Sequence, residues 1–234
     1  MQNDDGMKSG VMSSPDYSPM GDDEKEGFVK KVYGIVTIQL TITFLIVYLA
    51  SAWTPFGNFC TTVPVLVFAI IGFICFLIMA MCVANKVPWN YVALFGFTFS
   101  MSFLLSSITA YCDPSDVMKA IILTVIMSFS LTIFALAAGR HAVLLSFFAL
   151  IFVVCLAEFF IVALWFTPRA DNSWLLSTYF ALISLVYGCV LVIDTYIMKE
   201  GSKVDDYIVA SILIYLDIVK IFIYILAAIA SSKK

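Results

Sequence analysis

Beyond a polar beginning, the chain is a succession of apolar runs separated by short polar joins. The runs cover roughly 32–53, 62–84, 88–112, 117–138, 142–166, 174–198 and 207–230. Each is long enough to cross a hydrocarbon layer of roughly 30 Å as a helix. The strands of a membrane barrel would read as alternating segments of about 10 residues, a pattern these runs lack. The expected fold is therefore an all-α polytopic membrane protein with seven transmembrane helices. Short joins make consecutive helices antiparallel neighbours in a single bundle.

Composition supports that class. The 234 residues are 62% hydrophobic and only 12% charged, with a mean hydropathy of +1.03, whereas a soluble domain carries about 25% charged residues. Seven acids (Asp4, Asp5, Asp16, Asp22, Asp23, Glu24, Glu26) fall in the first 26 residues among Pro, Gly, Ser and Met. Residues 1–31 are accordingly expected to form a disordered acidic cytosolic tail, and residues 32–234 the seven-helix transmembrane domain. The tail is neither a signal peptide nor a basic arm, so nucleic acid is excluded as a partner and the lipid bilayer is the expected one.

Lys and Arg set the orientation. With the N-terminus cytosolic, Lys25, Lys30, Lys31, Lys86, Arg140, Lys199 and Lys203 lie inside, against Lys119, Arg169, Lys233 and Lys234 outside. The C-terminus then falls outside, unless the last helix is re-entrant. Gly72, Gly96, Ala135, Gly139 and Gly188 suit close helix contacts, which in lipid rest on packing. Trp53, Trp89, Tyr91, Tyr111, Trp165 and Trp174 suit the interfacial belts.

Three acids interrupt the apolar runs: Asp194, Asp217 and Glu158. An intramembrane carboxylate costs several kcal/mol unless it is paired, hydrated or protonated, which makes it a candidate functional group. With a rise of 1.5 Å per residue, Asp194 lies roughly 6 Å inside the cytosolic end of its run and Asp217 roughly 15 Å inside its own. A slip of one turn brings them level. Two carboxyls in contact cannot both ionise cheaply, so one shared proton would neutralise the pair. Its loss would leave two negative charges able to attract a divalent cation such as calcium. Two carboxylates fill only part of calcium's shell of six to eight oxygens, leaving water, carbonyls or Thr195 to complete a weak site. The plainer reading is a pair hydrogen-bonded for packing alone. Lys220, three residues after Asp217, shares its helix face and is a candidate positive partner; the alternative is snorkelling to a polar vestibule. Glu158 either lines an outer entry or bonds a carbonyl in its protonated form.

Of the six cysteines, Cys60 and Cys112 fall at the outer ends of spans, where a disulfide between them or two free thiols are the alternatives. The single histidine, His141, leaves too few ligands for a zinc hydrolase, and no nucleophile-elbow or phosphate-loop motif occurs. Neither an enzyme nor a resident cofactor is expected.

Four segments in order carry a resemblance: Lys31-Val32-Tyr33-Gly34-Ile35, Val87-Pro88-Trp89-Asn90-Tyr91-Val92-Ala93-Leu94-Phe95-Gly96-Phe97-Thr98, Ile193-Asp194-Thr195, and Tyr215-Leu216-Asp217-Ile218-Val219. From about residue 28 onward the chain resembles the transmembrane Bax inhibitor motif family, in particular its lifeguard branch. The resemblance implies six helices surrounding a central seventh, calcium leak from internal stores, and suppression of cell death. It implies that Asp194 and Asp217 are the proton-sensitive gate and weak calcium site, with calcium as the transported ion. It also implies residence in the endoplasmic reticulum or Golgi rather than the plasma membrane. Two departures stand out. The family's Arg near the inner end of the second span gives way to a stretch where only Lys86 offers a cation, and its early Glu in the third span to Phe99-Ser100-Met101-Ser102. The alternative function is a membrane interaction protein that suppresses apoptosis by binding apoptosis-regulating membrane proteins, without conducting ions.

Overall fold

The structure, a computed structural model, describes residues 22–83, 86–137, 173–201 and 207–232. Among them there are only helices: α1 (Asp22–Ala52), α2 (Thr54–Cys60), α3 (Val63–Cys82), α4 (Trp89–Thr109), α5 (Pro114–Ala137), α6 (Ser173–Gly201) and α7 (Tyr207–Ser231). All but α2 are long and apolar enough to cross a membrane. The chain is an all-α polytopic membrane protein. His141 and the expected span 142–166, which holds Glu158, lie outside the described residues, as do residues 1–21.

Proline marks the helix starts. Pro55 and Pro64 sit in the first turns of α2 and α3, Pro88 directly precedes α4, and Pro114 opens α5. At these positions the missing N–H would find no intrahelical partner anyway, and the fixed φ suits the helix. At the other end of α5, Lys199 Nζ donates to Leu136 O at 2.8 Å, placing a cation on terminal carbonyls.

Cross-helix contacts give the directions. Asn90 and Lys31 both meet Tyr207, and Thr43 meets Tyr215, so α1, α4 and α7 run parallel from one face, termed the inner face. Gly72 faces Ser100 and Gly96 faces Phe76, which sets α3 antiparallel to α4. On α6, Ser177 donates to Ala228 O and Tyr187 stacks on Tyr224, so α6 runs against α7. Gly188 lies against Met127 and Leu131, and Lys199 against Leu136, so α5 and α6 run the same way. The chain thus leaves α5 at the inner face and enters α6 at the outer one, while α7 ends on the face opposite the start of α1. That last point agrees with a spanning final helix.

α7 touches all five other described spans. In its apolar window 61% of residues are buried, against 11% in α3. One is the central post and the other a lipid-facing stave. Residues around nearly the whole circumference of α7 are buried, among them Ile208, Ile214, Tyr215, Val219, Ile221 and Phe222, the mark of a helix packed on all sides.

Two boundaries differ from the sequence expectation. α1 begins at Asp22, ten residues before the expected start at 32, so the helix takes in the end of the supposed disordered tail. Phe28, Val32 and Val36 lie at four-residue steps and are all buried, and the exposed side carries the Glu26–Lys30 ion pair at 2.6 Å. One apolar stripe and an i,i+4 pair suffice to continue the helix through polar sequence. The second difference is α2, a seven-residue helix within the first outer join. It turns Gly57 and Cys60 inward and leaves Trp53 and Phe59 exposed, as suits the interface. A Cβ at Gly57 would strike the Ala50 carbonyl oxygen and crowd Ala110. Gly57→Val should therefore lift α2 off α1, at about 1–3 kcal/mol for overpacking. The expected readout is at least about tenfold faster alkylation of Cys60; an unchanged rate would show that α2 tolerates the added bulk.

Candidate functional site

Asp194 and Asp217 come together across the α6–α7 seam. α6 continues to Gly201 instead of ending at 198, which sets Asp194 about 4.5 Å deeper than the sequence boundary implied and closes about half of the expected gap in depth to Asp217. Asp217 is 3% exposed, and its carboxyl lies close enough to that of Asp194 for the two to interact. Lys220 Nζ approaches Asp217 Oδ1 at 3.3 Å. Asp217 Oδ2 is buried and finds no donor among the described residues. Asp194 can supply one only in its protonated form, so the geometry accommodates one proton shared by two carboxyls.

The lysine is held on a second side. Its Nζ lies 5.1 Å from the centroid of the Tyr187 ring, and Tyr187 stacks on Tyr224 with centroids 5.3 Å apart. Asp217, Lys220 and Tyr224 recur at three and four residues on α7, and Tyr187 and Asp194 at seven on α6, so one face of each helix carries the set. Partial exposure of the lysine limits the worth of its ion pair. Toward the inner face a cavity of about 340 Å³ opens beside Asp194, with Ile197, Met198, Leu213 and Ile214 among its walls.

Other expected residues are placed differently. Lys86 is exposed in the α3–α4 join, and the cation at Asp217 is Lys220. Thr195, considered as a further cation ligand, is fully buried with Oγ1 taken by the Tyr33 hydroxyl at 2.8 Å. One residue on from Asp194 in a helix is a turn of 100°, so Thr195 faces α1 while Asp194 faces α7. No group of three or more His, Cys, Asp or Glu side chains gathers among the described residues. Any cation at the pair would rely on two carboxylates plus water and carbonyls.

Cys60 and Cys112 are both free thiols in the structure, the second of the two expected alternatives. Cys60 is buried on the inward face of α2, and Cys112 Sγ turns back to the Ile108 carbonyl at 3.8 Å. Burial pushes the Cys60 thiol up; burial, then Asp116 and Asp113, push up that of Cys112. Both stay protonated at neutral pH, and their alkylation should accelerate as pH rises. In denaturant both should take up alkylating reagent without prior reduction. A further label appearing only after reductant would restore the bridge.

The sequence reading missed a set of uncharged polar contacts. Tyr33–Thr195 ties α1 to α6. Asn90 Nδ2 donates to the Tyr207 hydroxyl at 2.8 Å, while Lys31 Nζ sits 3.2 Å from the centroid of the same ring. Three of the four segments that carry the family resemblance are thus joined at the inner ends of the helices.

The profile of the family described as "Inhibitor of apoptosis-promoting Bax1" matches residues 25–234. The chain is 30% identical to human Protein lifeguard 3, over 85% of this chain and 67% of that protein. It is 26% identical to Arabidopsis thaliana Protein LIFEGUARD 3, over 89% and 86%. It is 29% identical to the Golgi anti-apoptotic protein of Vaccinia virus (strain Lister), over 88% and 86%. No solved structure matches. With the profile running from within α1 to the last residue, the chain belongs to the Inhibitor of apoptosis-promoting Bax1 family.

Proposed function

We propose that the chain is a pH-regulated calcium leak channel of intracellular membranes, modulating calcium stores and cell death and gated by Asp194 and Asp217. The observation that carries the reading is the buried Asp217 Oδ2, without a donor among the described residues, beside a second carboxyl and with one lysine at the opposite oxygen. In the closed state one proton bridges the carboxyls, and the remaining negative charge is offset by Lys220. Loss of the proton leaves two carboxylates against one ammonium. The excess charge separates the pair or draws in a divalent cation. Calcium finds two of its oxygen ligands there and takes the rest from water and carbonyls, a weak site that suits passage better than storage. The chemistry is binding and release, with no bond made or broken in a substrate, so no enzymatic role or resident cofactor is assigned.

The relatives support the physiological side of the reading. One is named as a Golgi protein and as anti-apoptotic, in keeping with the Golgi or endoplasmic reticulum and with restraint of cell death here. The test is calcium entry into proteoliposomes loaded with a calcium-sensitive dye, measured from acid to alkaline pH. Entry should be low in acid and rise with pH as the shared proton leaves. Entry indistinguishable from protein-free vesicles at every pH would overturn the channel. Protection from cell death without any flux would favour the second reading, a partner-binding membrane protein.

A further inference from the structure

The α1–α4 seam is a second polar structure, on the side of α7 away from the carboxylates. The two helices lie parallel in steady register. Gln39 Nε2 donates to Thr98 Oγ1 at 2.9 Å, and Ser102 Oγ donates to Thr43 Oγ1 at 3.0 Å. Thr43 is joined to the Tyr215 hydroxyl of α7 at 2.8 Å. Toward the outer face Thr109 Oγ1 donates to Val47 O, and Ser51 Oγ to Cys112 O, both at 3.3 Å. Gln39, Thr43, Thr98, Ser102 and Ser106 are all fully buried.

Helix packing by hydroxyl groups accounts for part of this. Thr98 and Ser102 each donate to the carbonyl four residues back, which satisfies them within their own helix. Packing does not account for Gln39 Oε1 or Ser106 Oγ, both buried in the seam without a partner among the described residues. At bilayer depth no lipid group can serve an amide oxygen or a hydroxyl, so each calls for water or a polar passenger. The inner continuation of the seam is of opposite character: Val32, Val36, Ala93 and Leu94 are at most 1% exposed. Polar side chains recur through the outer half, interleaved with the buried Val47 and Leu105, and an apolar plug fills the inner half short of Asn90.

In the α6–α7 seam the opening lies in the inner half instead, as the cavity beside Asp194. The two seams approach the same depth at Tyr215 and Asp217, two residues apart on α7 and about 200° round its axis. We propose that the α1–α4 seam is an outer half-channel, a hydroxyl- and amide-lined path carrying water and a small hydrated cation from the outer face to mid-depth. It is offset across α7 from the inner access at the carboxylates. Movement or rotation of α7 then connects the two halves, and with α7 at rest neither half crosses the membrane alone. That calcium is the passenger rests on the proposed function; the accessibility of the seam does not.

The test is accessibility of Ser106→Cys in the otherwise native chain in proteoliposomes. The probe is a membrane-impermeant quaternary-ammonium methanethiosulfonate, with labels counted by intact mass against the native chain. Ser106→Cys should gain one label from the outer side alone, at least about tenfold faster than Leu94→Cys in the plug. A rate no faster than that of Leu94→Cys, or labelling from the inner side, would overturn the half-channel. Ser102→Cys reports on the same path if Ser106→Cys fails to fold. Labelling without calcium flux keeps the path and removes the proposed passenger; flux without labelling keeps the carboxylate gate and removes the path.

Discussion

Asp217→Asn is expected to abolish the pH dependence of calcium flux and to leave the chain folded. The amide keeps the size of the carboxyl, so the packing of α7, buried on nearly every side at this depth, is undisturbed. It also supplies a permanent N–H donor to Asp194, replacing the shared proton by one that no pH change removes. The pair then has the hydrogen bond of the closed state and lacks its second ionisable group. Flux should stay at the low acid-side level across the pH range, an effect of about tenfold or more on the alkaline side, since one pKa unit of differential interaction is about 1.4 kcal/mol. Asp194→Asn should act in the same direction. A Asp217→Asn channel that kept the wild-type pH profile would move the gate elsewhere in the bundle. One that lost all response while remaining fully open would show that closure needs the negative charge itself.

Much of this was legible in the sequence, and the remainder failed for identifiable physical reasons. Runs of about 20 apolar residues specify spanning helices almost without ambiguity, since hydrocarbon leaves backbone polar groups no other partners. The described spans accordingly begin and end within a few residues of expectation, α1 excepted. There the acids of residues 22–26 hid a four-residue apolar step through Phe28, Val32 and Val36, because composition outweighs periodicity when a stretch is mostly polar. α2 was invisible because seven residues are too few to show any period. Gly72, Gly96 and Gly188 were read as close-contact positions, and each does face a neighbouring side chain with no room for a Cβ.

The charged part of the site stood out for the reason that makes it costly. Asp194, Asp217 and Lys220 are conspicuous in hydrocarbon, and the three-residue step from Asp217 to Lys220 already put those two on one face. Depth was harder: three extra residues at the end of α6 bring Asp194 about 4.5 Å nearer the depth of Asp217, and sequence boundaries are coarser than that. Lys86, the one cation near the inner end of the second span, lies exposed in the join. The uncharged polar contacts gave no such warning, since Ser, Thr and Gln are common in spanning helices and read as packing. The available signal was the repeat Thr98, Ser102, Ser106 at four-residue steps, facing Gln39 and Thr43 at the same step on α1.

Lys220→Met should shift the midpoint of calcium flux to more alkaline pH. The ammonium lies 3.3 Å from Asp217 Oδ1. It stabilises the carboxylate over the carboxylic acid, so its removal favours the form that keeps the proton. The closed state then persists further up the pH scale. Methionine retains the length and apolar character of the lysine stem and packs against the Tyr187 ring through sulfur, so the α6–α7 seam keeps its filling. Loss of charge is thereby separated from loss of volume. Lys220→Arg keeps the charge and a stacking partner for Tyr187, and should hold the midpoint near that of the native chain. Two further outcomes are decisive. An unmoved midpoint in Lys220→Met would show that the ammonium does not act on the gate and serves only to fill the seam. A midpoint displaced to acid pH would mean that Lys220 competes with the passing cation at the carboxylates more strongly than it promotes their ionisation, making the lysine a tethered occupant of the cation's own seat.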